Sequence, residues 1–141
     1  MKISAQVRNR AGSHDIEVKT EGTLHPLAIA PKASGQGSSV NGGELLLLAL
    51  ATCCCNDIYR EAAKRGIKVD QVEVEVNGDF GPEGAPGRNL TYMVKVSAEA
   101  SQEVIRALVE DTDRVVEIHN TLRGGTPVTL SGIEALAREK A

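Results

Sequence analysis

One segment constrains the fold more than any other part of the chain. Residues 44–66 read ELLLLALATCCCNDIYREAAKRG and predict a long helix, with Asn41 as its N-cap and Gly66 at its end. Leucines at 45, 46, 47, 48 and 50 point in nearly every direction around the axis, so the first half of this helix must be buried on all sides. A small sheet covers only one side of a helix. A second copy of the chain, related by two-fold symmetry, would cover the other side, so we expect a homodimer.

Apolar residues alternate with polar ones before and after this helix, and these runs predict short strands. Three strands precede the helix, with inward positions at Ile3, Ala5 and Val7, then Ile16 and Val18, then Leu27 and Ile29. Residues 69–80 and 89–98 alternate in the same way around a turn rich in glycine and proline, which predicts a β-hairpin.

A second helical stretch runs from Ser101, its N-cap, to Leu122, and the sequence DTD at 111–113 favours a break within it. Residues 126–130 then predict a last strand, and residues 133–141 predict a short helix. The predicted order βββ-α-ββ-α-β is α+β, because the strands come in runs instead of alternating with helices. We expect one domain over residues 1–141.

The composition disfavours several classes of protein. Apolar residues make up 41% of the chain and charged residues 25%, which are the proportions of a globular protein. A net charge of −3 and an aromatic content of 2% disfavour a nucleic-acid partner, which needs clustered basic residues and rings that stack on bases. No apolar run approaches the ~20 residues of a membrane span, and the N-terminus lacks the apolar core of a signal peptide. We expect a cytoplasmic protein without a membrane partner, in which thiols stay reduced.

The cysteines of the chain, Cys53, Cys54 and Cys55, lie side by side in the helix. At about 100° per residue they fan across about 200°, so they cannot share one environment. A helical wheel places the apolar stripe along Leu48, Ala51, Ile58 and Ala62. This phase predicts Cys55 in the core and Cys54 on its flank, whereas Cys53 lies on the polar face, two turns before Arg60, whose charge would favour a thiolate. Cys53 is therefore the candidate reactive thiol, and the alternative is a cysteine that only packs.

No metal ion or cofactor is expected. The sequence contains no C-x-x-C spacing, and its histidines, at 14, 25 and 119, are scattered. The glycine-rich stretch before the helix lacks the G-K-[ST] of a phosphate-binding loop. A disulfide among the cysteines is also disfavoured, because Cys53 and Cys55 point apart and a bridge between neighbours needs a distorted backbone.

Two motifs together resemble those of the OsmC/Ohr family (osmotically inducible protein C and organic hydroperoxide resistance protein). They are GSSVNGGELLLLALATC at 37–53 and IHNTLRGGTPV at 118–128. The resemblance implies an intertwined homodimer with its active sites at the subunit interface. It also implies a cysteine thiolate that reduces organic hydroperoxides, becomes a sulfenic acid and is resolved by a second cysteine. The peroxidatic cysteine of this pattern falls on Cys53.

The other site residues that the resemblance implies match less closely. The resolving cysteine falls on Val116, with Glu117 at the proline position that follows it, so the second thiol is missing. The acid that orients the activating arginine falls on Gly43. Glu44 lies one position further on and is an alternative, although its spacing from Asn41 also predicts a helix cap.

Two further residues are candidates by their place in the pattern. Arg10 lies roughly where the activating arginine of the family is found. His119 occupies the motif position of a histidine or serine at the interface, with a packed histidine as the alternative.

The leading hypothesis is an OsmC/Ohr-like homodimer with one reactive cysteine, acting in organic hydroperoxide detoxification or in the oxidative-stress response. Catalysis without a cysteine at 116 would need an external thiol reductant, or Cys54 after local unwinding of the helix. The alternatives are a dimer that binds a small apolar ligand in the interface cleft without catalysis, and a thiol redox sensor without turnover. The sequence leaves the enzymatic activity, the substrate and the reductant open.

Overall fold

The computed structural model describes residues 1–138 and has an α+β fold, as predicted. Its elements in chain order are β1 (Ile3–Arg10), β2 (Ser13–Thr20), β3 (Thr23–His25), α1 (Gly42–Lys64), β4 (Val69–Asp79), β5 (Arg88–Ala98), α2 (Gln102–Asp113) and α3 (Glu117–Arg123). None of the helices in this range is both long enough and apolar enough to cross a membrane.

The chain forms two compact units. The first comprises Met1–Thr52 and Val74–Val94, and the second comprises Cys53–Glu73 and the chain from Lys95 onward. Helix α1 and the β4–β5 hairpin therefore each contribute one part to either unit. The prediction of a single domain stays a prediction.

The first unit contains the antiparallel sheet β1-β2-β3. Strands β1 and β2 pair from Ile3 with Thr20 to Arg10 with Ser13, as the alternation predicted. The predicted third strand around Leu27 and Ile29 is wrong, because β3 ends at His25. Glu21 and Gly22 both have positive φ angles, 49° and 79°, and form a two-residue turn that starts β3 at once. Pro26 follows and has no N–H group to extend the pairing.

Helix α1 begins and ends where local chemistry predicts. The backbone N–H of Glu44 donates to Oδ1 of Asn41 at 2.8 Å, and the N–H of Asn41 donates to Oε1 of Glu44 at 3.2 Å, a reciprocal capping box. At the other end, Gly66 has a φ of 66°. The N–H of Ile67 donates to the carbonyl of Ala62 at 3.0 Å, and that of Gly66 donates to Ala63 at 3.2 Å. This pair of bonds is a Schellman motif, which ends the helix.

The core of the second unit lies on its helices. The buried side chains there are Cys54, Asp57, Ile58 and Ala62 on α1, Leu108 and Thr112 on α2, Val116 between α2 and α3, and His119 on α3. Ion pairs also join the helices at their surfaces. Arg65 on α1 pairs with Asp111 on α2 at 3.0 Å, and Arg123 on α3 pairs with Asp113 on α2 at 2.7 Å.

The predicted phase of α1 is wrong by one residue in its cysteine segment. Cys54, not Cys55, is the buried thiol, with 1% of its surface exposed, and Cys53 and Cys55 are half-buried on either side. The buried stripe runs through Leu50, Cys54, Ile58 and Ala62. The predicted stripe includes Leu48 instead, which is 58% exposed in the single chain. Because the first half of this helix is apolar on all sides, its sequence does not indicate which face is buried.

The second helical stretch is divided, as the DTD sequence predicted. The Ser101 side chain accepts a hydrogen bond from the N–H of Val104, which confirms the N-cap, and α2 ends at Asp113. The hydroxyl of Thr112 donates to the carbonyl of Leu108 at 2.7 Å, and α3 starts only at Glu117. Side-chain bonds of this kind compete with the regular helix ladder.

The predicted last strand, residues 126–130, is wrong. Residues 126–138 have no regular structure, and within the described chain no strand pairs with them. A strand needs a neighbour for its backbone groups. The predicted helix at 133–141 is likewise not formed at 133–138, and its last residues, 139–141, lie outside the described range. The apolar side chains of this segment, Val128, Leu130, Ile133 and Leu136, are at least 79% exposed in the single chain.

Candidate thiol site

Cys53 lies in the second unit beside two carboxyl groups. Its Sγ is 3.9 Å from Oδ2 of Asp57 and 3.8 Å from Oε2 of Glu117, distances at which a thiol donates a weak hydrogen bond. Asp57 follows Cys53 by one helical turn on α1, which places both on one face of the helix. Glu117 is the first residue of α3 and reaches the thiol from a second element. We call Cys53, Asp57, Arg60 and Glu117 the thiol cluster.

Arg60 binds the carboxyl groups of this cluster. Its Nη1 is 2.9 Å from Oδ1 of Asp57 and 3.2 Å from Oε1 of Glu117, and its Nε is 3.1 Å from Oε1 of Glu61. Among the hydrogen bonds and ion pairs found over residues 1–138, none joins Arg60 to Cys53. The prediction that Arg60 directly favours the thiolate is therefore wrong, because three carboxyl groups hold the guanidinium.

The surroundings of Cys53 favour the protonated thiol. Burial raises the pKa of Cys53 above its ordinary value, the backbone N–H of Ile118 partly opposes this shift, and the charges of Asp57 and Glu117 raise the pKa further. Reactive cysteines usually sit in electropositive surroundings that lower the pKa. A deprotonated Cys53 in this chain therefore needs a partner that removes the proton.

Asp57 is the titratable group of the cluster whose pKa lies closest to neutral pH. Only 5% of this residue is exposed, and burial together with a hydrogen bond to Glu117 raises its pKa to about 6. Glu117 shifts the other way: its own backbone N–H, the hydrogen bond with Asp57 and the charge of Arg60 hold its pKa below the usual range. The two environments move the pKa values of the two carboxyl groups apart, so Asp57 is the stronger proton acceptor.

The neighbouring cysteines differ from Cys53. Burial raises the pKa of Cys54 to about 12, so this thiol is a small apolar core residue. Cys55 is half-buried on the far side of Cys54. Cys53 is thus the cysteine that contacts acid groups from two helices, and its role as the reactive thiol stays a prediction.

The cluster also has the spacing of a metal site. Sγ and one oxygen of each carboxyl group lie within 4.8 Å of one another. However, the guanidinium of Arg60 already binds the other oxygen of both carboxyl groups, and its charge repels a cation placed between them. We assign charge compensation here to Arg60 and to a proton. The expectation of no metal and no cofactor stays a prediction.

The other predicted site residues do not belong to this cluster. The side chain of Glu44 and the backbone of Asn41 form the helix cap, and Gly43 lies in the first turn of α1. Arg10 ends β1, opposite Ser13, and lies with Glu44 in the first unit. Their role at the thiol stays a prediction.

His119 and Val116 lie in the second unit with Cys53. His119 is buried on α3, and burial together with the charge of Arg123 lowers its pKa. Val116, at the position of the missing resolving cysteine, is fully buried and is the N-cap residue of α3.

Sequence reasoning missed Asp57 and the approach of Glu117 to the thiol. The spacing of four residues between Cys53 and Asp57 could have indicated the first contact. Glu117 lies 64 residues from Cys53 in sequence, and only the fold brings the two together.

The fold and the site together define a class: a small α+β protein whose long helix presents a half-buried thiol to acid groups of the same unit. The chain belongs to the OsmC-like protein family, whose model matches residues 35–131. This match confirms the resemblance drawn from the two motifs. No curated protein matches the chain.

Several solved structures share the fold. An OsmC-like protein from Mycoplasma pneumoniae has a TM-score of 0.60 and 19% identity, covering 87% of this chain and 86% of that chain. OhrB of Bacillus subtilis, an organic hydroperoxide resistance protein, has a TM-score of 0.53 and 17% identity, covering 88% of this chain and 92% of that chain. A Vibrio cholerae protein described as an organic hydroperoxide resistance protein, with captopril in one of its active sites, has a TM-score of 0.58. It is 26% identical and covers 88% of this chain and 85% of that chain.

Proposed function

We propose that the protein reduces organic hydroperoxides with Cys53 as its reactive thiol. Family membership and the likeness to organic hydroperoxide resistance proteins support a role in the response to peroxides. The observation that carries the assignment to Cys53 is its contact with Asp57 and Glu117, whereas Cys54 is buried in the core. A half-buried thiol beside proton-accepting groups suits a reaction that must first release the thiol proton.

The proposed reaction is a two-electron oxidation of sulfur. The Cys53 thiolate attacks the terminal oxygen of the hydroperoxide, the S–O bond forms, and the O–O bond breaks. The products are Cys53 sulfenic acid and an alkoxide, which takes up one proton to become the alcohol. The thiol proton lost in the first step balances the proton gained by the alkoxide.

Turnover would require a thiol from outside the chain, because Val116 replaces the resolving cysteine. One external thiol would condense with the sulfenic acid to give a mixed disulfide and water. A second external thiol would release Cys53 and leave with the first as a disulfide.

We also propose that the functional unit is a homodimer. Leu48 is 58% exposed in the single chain, and the apolar residues of segment 126–138 are more exposed still. Exposed apolar surface on this scale marks an interaction site. Arg10 is exposed at the end of β1 and remains the candidate for an activating arginine.

A thiol sensor is the second candidate function. The missing cysteine at 116 predicts that the oxidised state of Cys53 persists. A persistent oxidised state favours sensing over rapid turnover.

The test is mass spectrometry of the protein after one equivalent of cumene hydroperoxide in the presence of dimedone, which traps sulfenic acids. The reaction is expected to place the adduct on Cys53. Sustained consumption of hydroperoxide after adding a monothiol or dithiol indicates the enzyme, whereas a single turnover indicates the sensor. If Cys53 carries no adduct, the proposed function is wrong.

A further inference from the structure

Each carboxyl group of the thiol cluster has one oxygen that contacts Arg60 and one that faces Cys53. Oδ1 of Asp57 and Oε1 of Glu117 both accept from Nη1 of Arg60, at 2.9 and 3.2 Å. Oδ2 and Oε2 face the sulfur of Cys53, at 3.9 and 3.8 Å. One ion pair thus fixes each carboxyl group while leaving one of its oxygens beside the reacting atom.

The hydroperoxide reaction moves one proton at this place. The proton must leave sulfur as the S–O bond forms, and a proton must reach the alkoxide as the O–O bond breaks. Of the two oxygens beside sulfur, Oδ2 of Asp57 belongs to a residue that is 5% exposed. The Glu117 side chain is 63% exposed, so water competes for its proton. A buried group retains a proton between the two steps better than an exposed one.

We propose that Asp57 is a catalytic residue, whose Oδ2 accepts the proton of the Cys53 thiol and delivers it to the departing alkoxide. This inference rests on the proposed function. The balance is Cys–SH + ROOH → Cys–SOH + ROH, and Asp57 begins and ends the cycle as a carboxylate. Glu117 and Arg60 are positioning residues, because they hold the carboxyl group of Asp57 against the sulfur.

The electrostatics agree with this role. A group that both takes and gives a proton works best when its pKa is near the working pH. The pKa of Asp57 is raised to about 6 by burial and by Glu117, with Arg60 opposing the shift. The charged and titratable groups that face Asp57 are Cys53, Cys54, Arg60 and Glu61 on α1 and Glu117 on α3. Below pH 6 Asp57 holds its own proton and cannot accept another, so the peroxide reaction should slow as the pH falls.

The test compares two reactions of the same sulfur in the full-length protein. Cumene hydroperoxide requires a proton for its leaving alkoxide, whereas iodoacetamide releases iodide, which requires none. Both rates are measured at Cys53 by quenched time courses and fragment-ion mass spectrometry, with Cys53→Ser as the background. The variants are Asp57→Asn and the control Glu61→Gln. Glu61 binds Arg60 as Asp57 does, but no hydrogen bond joins it to the thiol.

Asp57→Asn is expected to slow the peroxide reaction at pH 7 on the order of 100-fold, the usual contribution of a positioned acid–base group. The same variant should change the alkylation rate much less, because alkylation needs no proton for its leaving group and the loss of the Asp57 charge lowers the pKa of Cys53. Glu61→Gln should change the ratio of the two rates at pH 7 far less, because Glu61 acts on Asp57 only through its charge. If Asp57→Asn changes both rates in the same direction by the same factor, Asp57 acts only through charge or structure and the inference is wrong.

A second variant covers the case in which Asp57→Asn fails to fold. Glu117→Gln changes an exposed side chain and removes one cause of the raised pKa of Asp57. The rise of the peroxide rate with pH should therefore move to lower pH. An unchanged pH profile overturns the inference for Asp57 alone. A wild-type protein that does not react with cumene hydroperoxide overturns both the inference and the proposed function.

Discussion

The two halves of α1 differ in how the chain buries them. In the first half, Leu50 is buried, but Leu48, two residues before it, is 58% exposed. In the second half, Cys54, Ile58 and Ala62 form one continuous buried stripe, and a charged cluster lies along its flank. The second half is buried against its own chain, whereas the first half leaves the apolar side chain of Leu48 exposed, and we propose that a second copy covers it. The difference separates the residues to which we assign the chemistry from those that we assign to assembly.

The largest expected effect concerns the second half of α1, which carries the candidate thiol. Cys53→Ser should abolish the reaction with cumene hydroperoxide, because the acid groups contact this sulfur and no other. Cys55→Ser, a change of the same size at a half-buried neighbour, should leave the reaction intact. Peroxide consumption by the two variants decides this, and a reactive Cys53→Ser protein would assign the chemistry to another thiol.

The next test concerns the first half of α1, which we assign to the dimer interface. Leu48→Asp should weaken self-association by about 2 kcal/mol or more, as expected for a charge placed in an apolar interface. Asn56→Asp introduces the same side chain at an exposed position of the second half and should change association less. Sedimentation velocity at several concentrations measures the effect. A wild-type protein that is monomeric at micromolar concentration would contradict the homodimer proposal.

A smaller effect, on stability, distinguishes the buried Cys54 from the candidate reactive Cys53. Cys54→Ser buries a hydroxyl in the core and should lower the free energy of unfolding by about 1–3 kcal/mol. Cys53→Ser lies at the edge of the core and should lower it less. Urea denaturation of both variants provides the comparison. Equal losses would mean that the buried stripe does not run through Cys54.

The smallest expected effect is a dependence of stability on pH. The folded pKa of Asp57, about 6, exceeds the ordinary value of 3.8, so the folded state binds the proton more tightly than the unfolded state. Asp57 therefore lowers stability as pH rises from about 4 through 6. The Asp57→Asn variant lacks this loss. The difference in free energy of unfolding, variant minus wild type, should therefore increase by about 1 kcal/mol or more between pH 4 and pH 8. Parallel pH profiles of the two proteins would contradict the shift.

The sequence predicted those parts of the fold that short-range chemistry determines. The Asn41–Glu44 capping box, the Gly66 helix end, the Ser101 cap and the β4–β5 hairpin each depend on residues close in sequence. The strand predicted at 126–130 depends on a pairing partner, and alternation alone supplies none. The wrong helical phase has a related cause, since leucines that are apolar but exposed carry no information about which side faces the core of their own chain.

The sequence proposes the sulfur of the candidate site but gives no indication of its surroundings, and the role of that sulfur stays a prediction. Cys53 follows from the local pattern and from the motif. The acid groups around it depend on the break between α2 and α3, which sets Glu117 at the start of a new helix. No pattern within a single segment could place this carboxyl group, and the guanidinium that holds it, beside the sulfur.

The exposed apolar segment after α3 also bears on how the chain is made. Val128 is fully exposed and Leu130, Ile133 and Leu136 nearly so, and a newly synthesised chain carries this surface before it meets a partner. If the proposed dimer covers the segment, assembly competes with aggregation and with capture by chaperones. The yield of native protein then depends on how many copies are synthesised close together in time and space.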